Sequence, residues 1–399
     1  MITDQLRIHL SDTDRENWPP EAGGPPADSM IISLTNIKEE NNMKKVLAAV
    51  LTAALVASTA VGVSAADQKV GYNIFGYGSV ALSTLANNQK YVIETFGDEA
   101  SEISDDFQVD KMISDIENLC ASGCDGVLIW LVADNMYSAA IEICDKYGVP
   151  YAFPDKVPVA LKDQCLADEY FAGAIGPDNA AYGRQAAEYA LEKGCTKAII
   201  SSGSAGDPTD TPRIEAFQEA FTAGGGEVLQ TINSATNDVI QSDIENTYLA
   251  NPDVDVIYGT GSDYGIAAAT VLQTQANDSC LVVTSGFDTA ALDMFEAGQI
   301  DYLSGDYWIS GTMAAIALEN YLQGNPLKDA DGNCPWMDAI APFELTQDNP
   351  EDYEALVANF IEQQPYSEEE IQAMSGEAGF DYDAFVATIE NYSLEDRTK

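Results

Sequence analysis

The side chains best suited to binding a ligand come directly after predicted strands. Aromatic rings stack on the C–H face of a sugar, and carboxylates accept hydrogen bonds from hydroxyls. Any one aspartate in such a place is more often a helix N-cap, but its recurrence at the same end of several strands favours a binding role. The candidates are Phe75, Tyr77, Asp134, Asn135, Asp155, Asp288 and Trp308.

Arg213 is the sharpest single candidate. Thr211 is the predicted N-cap of a helix and Pro212 its first residue, which places Arg213 in the first turn. A cation there interacts unfavourably with the helix dipole, at a cost of roughly 0.3–1 kcal/mol. The stability of the helix therefore does not explain an arginine at this position. Two roles stay open, a salt bridge to one of the many carboxylates or a bidentate donor to ligand oxygens.

No set of residues predicts catalysis, a metal site or a cofactor. The only histidine is His9, and the seven cysteines form no CxxC pair, so a zinc site is not expected. Several cysteines border apolar strands, which favours burial as small hydrophobes. The glycine-rich stretch GTGSDYG at residues 259–265 follows a strand but does not have the GxGxxG spacing. An enzyme remains the minor alternative, and turnover of a bound sugar would support it.

The elements that must position these side chains alternate regularly between strand and helix. Residues 126–132, GVLIWLV, form a continuous apolar run typical of a strand covered on both faces, with Trp130 in mid-strand and therefore in the core. Strands alternating with helices of this length predict βαβ units and parallel sheets. Two successive sets predict an α/β fold with two doubly wound lobes, whose ligands bind at the carboxyl ends of the strands.

The N-terminal part of the chain has a different character. Residues 1–42 are polar and rich in proline and glycine, and we interpret them as a mis-assigned upstream extension. From Met43 onward the sequence has two lysines, an apolar run and then small residues. This is the pattern of a signal peptide over residues 43–65. We expect a mature protein that starts near Ala66, is periplasmic or secreted, and has no lipid-anchor cysteine.

The charge excludes one class of partner. Asp and Glu number 65 against 18 Lys and Arg, which gives a formal net charge of −47. Such a surface repels phosphate backbones, so nucleic acid is not an expected partner. The acid excess is otherwise the mark of a solvated surface, and we expect a monomer.

Four stretches in sequence carry a family resemblance: DGVLIWLVADNMYSAAIEICDKYGVPY, AIGPDNAAYGRQAAEYAL, TPRIEAFQEAF and VVTSGFDTAALDMFEAG. In this order and spacing they resemble the type I periplasmic binding proteins of the ribose/galactose class. The resemblance implies two lobes joined by three crossovers, a sugar bound between them, and delivery to an ABC permease. It matches the family's strand-three carboxylate to Asp134, its arginine to Arg213 and its GFD aspartate to Asp288.

The same resemblance places the hinge and the lobes. The crossovers fall near Gly176 and Pro177, near Gly305 and Asp306, and within residues 336–340. Asp306 stands where many members of the family have a glutamine, which makes it a further ligand candidate. The N-terminal lobe is expected over 67–175 plus 307–335, and the C-terminal lobe over 176–306 plus 337–350.

The final residues, 351–399, are acidic and carry amphipathic helical patterns longer than the family needs. We expect them to pack on a lobe or to cap a sheet edge.

One functional alternative shares the fold and the cleft but has a different partner. In this alternative the chain is a binding protein that reports to a sensor or chemoreceptor, or a receptor for a furanose-like signal.

Overall fold

The structure, a computed structural model, describes residues 68–77, 80–234, 236, 238–277, 279–306, 308–349, 353 and 364–393. The predicted upstream extension and signal peptide lie outside the described residues. Among the helices that are described, none is long and apolar enough to cross a membrane.

Six strands form a first sheet in the order β11-β5-β4-β3-β1-β2, and every neighbouring pair is parallel. Its central strands β3, β4 and β5 are buried along their whole length, as strands covered by helices on both faces must be. The strands are β1 Lys69–Ile74, β2 Glu99–Ser104, β3 Gly126–Leu128, β4 Tyr151–Phe153, β5 Phe171–Pro177 and β11 Trp336–Ile340.

A second sheet of six strands has the order β12-β10-β9-β8-β6-β7. Its pairs are parallel apart from β10 and β12, which are antiparallel. The strands are β6 Lys197–Ser202, β7 Glu227–Asn233, β8 Val256–Gly259, β9 Leu281–Ser285, β10 Tyr302–Gly305 and β12 Phe343–Thr346.

Helices connect the parallel strands in both sheets, as right-handed crossovers require. In chain order they are α1 Val80–Phe96, α2 Val109–Ala121, α3 Tyr137–Tyr147, α4 Lys162–Ala167, α5 Asn179–Glu192, α6 Asp210–Ala223, α7 Ile240–Ala250, α8 Ser262–Thr274, α9 Thr289–Glu296, α10 Ile309–Leu322, α11 Glu368–Ala373 and α12 Tyr382–Glu390. The predicted α/β class with two doubly wound sheets is confirmed.

The chain passes between the sheets three times: after β5, after β10 and after β11. The residues predicted for the last crossover, 336–340, are instead strand β11, which pairs with β5 in the first sheet. Only residues 341–342 separate β11 from β12 in the second sheet, so the passage comes later than predicted. The assignment of the lobes to domains stays a prediction.

The C-terminal segment, which we define as residues 364–393, packs into the core. It contributes the buried side chains of Tyr366, Ile371, Met374, Phe385, Ile389 and Tyr392. Helix α11 begins with a capping box, in which the Ser367 side chain accepts from the Glu370 N–H and the Glu370 carboxylate accepts from the Ser367 N–H.

All seven cysteines are buried with free thiols. Burial raises the pKa of Cys195 and Cys280 to about 12. The expectation that cysteines beside the strands serve as small hydrophobes is confirmed for Cys124, Cys195 and Cys280.

Helices α5 and α6 make the closest helix contact that bears on the site. A Cβ atom at Gly183 of α5 would lie 1.9 Å from the carbonyl oxygen of Arg213 in α6, so only glycine allows this approach. The contact fixes the position of the Arg213 backbone relative to α5.

Two carboxyl groups, those of Glu319 and Asp105, are buried around the first sheet. Glu319 of α10 is fully buried, and neither of its carboxylate oxygens has a hydrogen-bond partner among the described residues. Burial and the nearby charge of Asp98 raise the pKa of Glu319 well above its usual range. Asp105 follows β2 and accepts from Asn73 Nδ2 at 2.8 Å, and burial raises its pKa to about 6. The folded protein therefore binds a proton at each group more tightly than the unfolded chain does.

Replacing Gly183 with alanine should destabilise the protein. The new methyl group meets the carbonyl of Arg213 and the amide nitrogen of Phe217, so the helices must separate at a cost of about 1–3 kcal/mol. Against this cost, alanine gains only roughly 1 kcal/mol in helix propensity. Urea denaturation would measure the loss. The matched variant Arg184→Ala, on the exposed side of the same helix, should change the free energy of unfolding by less than about 0.5 kcal/mol. A Gly183→Ala protein as stable as wild type would contradict this.

Thermal stability should be lower at pH 8 than at pH 5. Because the folded pKa values of Glu319 and Asp105 exceed their unfolded values of about 4, the folded state binds more protons, and the free energy of unfolding falls as pH rises through the folded values. Differential scanning calorimetry would measure Tm at both pH values. Glu319→Gln should raise Tm at pH 8 and flatten the slope, whereas the exposed Glu219→Gln should leave it unchanged. A Tm that rises toward pH 8 would refute the assignment.

Candidate ligand-binding site

A cavity of about 380 Å³ lies between α1 and the loops that follow the carboxyl ends of β6, β8, β9 and β10. This is the end of a parallel sheet at which ligands bind in doubly wound folds. Its volume is in the lower part of the ~300–1,000 Å³ typical of small-molecule sites. Helix α1 contributes Thr84, Asn87 and Asn88 to its wall.

Four of the nine predicted ligand residues line this cavity: Arg213, Asp288, Asp306 and Trp308. Two of the predicted hinge residues, Pro177 and Gly305, also line it. The remaining predicted residues, Phe75, Tyr77, Asp134, Asn135, Asp155 and Gly176, do not.

Arg213 is buried and held by neutral groups. Its Nε donates to Asn179 Oδ1 at 2.9 Å and its Nη1 donates to the Thr260 carbonyl oxygen at 2.7 Å. The guanidinium carbon lies 4.3 Å from the centre of the Tyr182 ring, which is a cation–π contact. Neutral partners fix the guanidinium without neutralising it, so its charge is available to a ligand.

Helix α6 begins earlier than predicted, at Asp210 rather than Pro212, with Thr209 at the N-cap position. The cause is Asp207, whose Oδ1 accepts the N–H groups of Thr209 and Asp210 and whose carbonyl accepts that of Thr211. The prediction placed the helix start at the Thr-Pro pair and overlooked this aspartate turn.

Asp306 lies at the second passage between the sheets and is buried. Its Oδ1 accepts from the Trp308 N–H at 3.0 Å, and its carboxylate interacts with the Tyr182 side chain. Burial raises the pKa of Asp306, while the Trp308 N–H, the charge of Arg213 and the Tyr182 side chain lower it. Arg213, Tyr182 and Asp306 therefore form one connected polar group on the cavity wall.

Asp288 is both a helix cap and a cavity residue. It is the N-cap of α9, where its Oδ1 accepts from the Ala291 N–H at 2.8 Å. The cap uses one carboxylate oxygen, which leaves Oδ2 as the oxygen for a ligand. The two roles weighed for this residue in the sequence are compatible.

Trp308 precedes α10 with left-handed backbone angles, φ 56° and ψ 32°. Its carbonyl oxygen accepts from Asn88 Nδ2 of α1 at 3.2 Å. This hydrogen bond connects the backbone of the second passage to α1 on the other side of the cavity.

The predicted hinge glycines are required by close contacts rather than by backbone angles. A Cβ atom at Gly305 would lie 2.5 Å from the Phe287 ring. A Cβ atom at Gly176 would lie 2.8 Å from the Lys156 amide nitrogen. Each glycine lets a passage run against a neighbouring loop.

The carboxyl ends of the first sheet carry an aromatic group. The Phe75 ring centre lies 5.5 Å from that of Phe107 and 6.0 Å from that of Trp130. Tyr77 is 59% exposed. The placement of Trp130 in mid-strand was wrong, because β3 ends at Leu128 and the indole is only half-buried.

Asp155 connects this aromatic group to the charges of the cavity. Its Oδ2 accepts from Trp130 Nε1 at 3.0 Å and its Oδ1 accepts from the Lys156 N–H at 2.7 Å. Burial raises the pKa of Asp155 to about 6, with Asp306 adding to the rise and Arg213 opposing it. Asp155 thus interacts electrostatically with the cavity without lining it.

Asp134 and Asn135 are exposed in the short 3₁₀ helix Asp134–Met136 before α3. Neither lines the cavity, and their part in binding stays a prediction.

Several residues of the site carried no clear sequence signal. Asn73 sits inside a buried strand, where it accepts from the Trp130 N–H at 2.9 Å and donates to the Trp130 carbonyl. A polar residue within an apolar strand could have drawn attention to it. Asn179, Thr260 and Gln364 hold or line the site from positions far apart in the chain, which no local pattern connects.

The arrangement offers one fixed cation, several carboxylates, amides and an indole ring around a small cavity. Neither cysteine nor histidine is among the cavity-lining residues that the structure describes. Such a wall can accept and donate hydrogen bonds on several sides of a neutral ligand.

Comparison with known proteins agrees with the geometry. A model of the periplasmic binding protein domain matches residues 82–326, which is more than half of the chain. Ribose import binding protein RbsB of Escherichia coli (strain K12) is 26% identical over 182 residues. That match covers 45% of this chain and spans only 58% of the length of RbsB.

Solved structures share the fold at low identity. GanP, a glucose-galactose binding protein from Geobacillus stearothermophilus, is 18% identical with a TM-score of 0.59, over 72% of this chain and 99% of its own. The periplasmic binding protein of the arabinose ABC transporter from Shewanella sp. ANA-3, bound to L-arabinofuranose, is 15% identical with a TM-score of 0.63, over 75% of this chain and 100% of its own.

The two largely parallel sheets, the three passages between them and the matched family model lead to one assignment: the chain belongs to the periplasmic binding protein domain family and has its type I fold.

Proposed function

We propose that this protein is an extracytoplasmic substrate-binding protein that captures a monosaccharide by closure of its two lobes and delivers it to an ABC permease. The observation that carries the proposal is the convergence of Arg213, Asp288, Asp306 and Trp308 on one cavity of about 380 Å³. The sugar ligands and transporters named for the related proteins support the ligand class and the partner.

The charges of the wall favour a neutral ligand. A phosphorylated or acidic sugar would meet Asp288 and Asp306, with the charge of Asp155 acting nearby, against the single guanidinium of Arg213. A neutral sugar avoids that repulsion, and its hydroxyls donate to the carboxylates while its oxygens accept from Arg213.

The protein does no chemistry on its ligand in this proposal. Binding without turnover needs only hydrogen bonds and a stacking surface, which Trp308 supplies at the cavity. The predicted signal peptide supports action outside the cytoplasm, and we propose a monomer that docks to the permease in its closed form.

Removing the charged partners should weaken binding. Arg213→Ala should lose a hydrogen bond from a charged group, which is worth about 1.5–3 kcal/mol. The affinity for the tightest-binding monosaccharide, measured by calorimetric titration, should therefore fall by roughly 10- to 150-fold. Asp288→Ala should do the same but also loses a helix cap. Asp288→Asn is the matched control for the cap, because asparagine caps as well as aspartate while its side chain is neutral. Wild-type affinity in folded Arg213→Ala and Asp288→Asn proteins would refute this site.

Ligand binding should reduce the radius of gyration. Lobes joined by three passages can hinge, and a ligand that contacts both sides stabilises the closed form. Small-angle X-ray scattering with and without a saturating monosaccharide would measure the change. Arg213→Ala should need a roughly 10- to 150-fold higher sugar concentration to reach the same smaller radius. An unchanged wild-type radius at saturation would count against hinge closure.

A further inference from the structure

The C-terminal segment reaches the cavity through Gln364. This residue lines the cavity together with Asp306 and Trp308. Its Oε1 atom is buried and accepts no hydrogen bond from the residues that the structure describes. A buried amide oxygen without a hydrogen-bond donor is costly, and a ligand hydroxyl could donate to it.

The backbone next to Gln364 is fixed by aromatic packing. Tyr366, two residues along, is 4% exposed, and its ring centre lies 6.1 Å from that of Tyr392. The capping box at Ser367 then starts α11, which contacts α1. Gln364 is therefore presented to the cavity from a supported position.

Tyr392 contacts two of the passages between the sheets. Its hydroxyl donates to the Asp306 carbonyl oxygen at 3.4 Å, and its ring centre lies 4.8 Å from that of Phe343, the first residue of β12. The same segment is tied to α10, where Asn320 Nδ2 donates to the Met374 carbonyl and Asn320 Oδ1 accepts from the Gly376 N–H.

The segment lies beyond the residues that the family model matches, which end at 326. The match to the family model therefore carries no information on the contact between this segment and the cavity.

We propose that Gln364 is a specificity-determining residue, whose side-chain amide hydrogen-bonds one hydroxyl of the bound monosaccharide. This rests on the proposed function and assigns one wall of the same cavity to the C-terminal segment. An amide both donates and accepts, so it distinguishes a sugar that has a hydroxyl at that position from an analogue that lacks it.

The test is calorimetric titration of the full mature chain with L-arabinose, D-galactose, D-ribose, D-fucose and myo-inositol, followed by monodeoxy analogues of the tightest binder. Gln364→Ala and the size-matched Gln364→Leu should lower the affinity for that sugar by about 2- to 12-fold, because one neutral hydrogen bond is lost. For one deoxy analogue the loss should disappear, because the contacted hydroxyl is already missing. Gln273→Ala, an exposed glutamine on α8, is the control and should bind as wild type.

Three outcomes would overturn the proposal. Wild-type affinity in the Gln364 variants, with binding lost in Arg213→Ala, would remove Gln364 from the site and leave the proposed function intact. An equal loss for every deoxy analogue would show that Gln364 acts through the backbone rather than on a hydroxyl. A wild-type protein that binds no sugar of the panel would overturn both this proposal and the proposed monosaccharide ligand.

Discussion

The contact between α5 and α6 at Gly183 is the constraint on which the site depends. It brings two helix backbones so close that a single methyl group cannot fit between them. The same helices supply Asn179, Tyr182 and Arg213, so the guanidinium is positioned by main-chain packing before any side chain takes part. A binding site built on packed helices holds its geometry better than one built on loops alone.

The position of Arg213 matters because the rest of the molecule is strongly acidic. A formal net charge of −47 makes carboxylates the background of the whole molecule, and Arg213 is the one cation of the cavity wall as far as the structure describes it. Its hydrogen-bond acceptors are an amide and a carbonyl, which orient the guanidinium without cancelling its charge. Asp306 and Asp155 lie within its field, and burial raises the pKa of both. The cavity wall is therefore polar, with one cation set among more carboxylates than it can neutralise.

Local patterns predicted what depends on local sequence. The alternation of strands and helices predicted the class of the fold. The strand-end position of Asp288 and the first-turn position of Arg213 singled out two residues that line the cavity. Asp134 shows where this reasoning stops, because it also follows a strand but ends exposed in a 3₁₀ turn. Trp130 was misplaced because an apolar run does not reveal where a strand ends. Gln364 was missed because its approach to Asp306 depends on tertiary packing across more than fifty residues.

The backbone of Trp308 has a consequence for how this position can change in evolution. A bulky residue with φ near 56° carries a conformational penalty of roughly 1–2 kcal/mol that glycine would not. Drift alone would therefore favour glycine or asparagine here. A lineage that keeps tryptophan accepts a less stable fold in exchange for an indole at the cavity, so the residue found at 308 in homologues reports whether selection acts on ligand capture or only on folding.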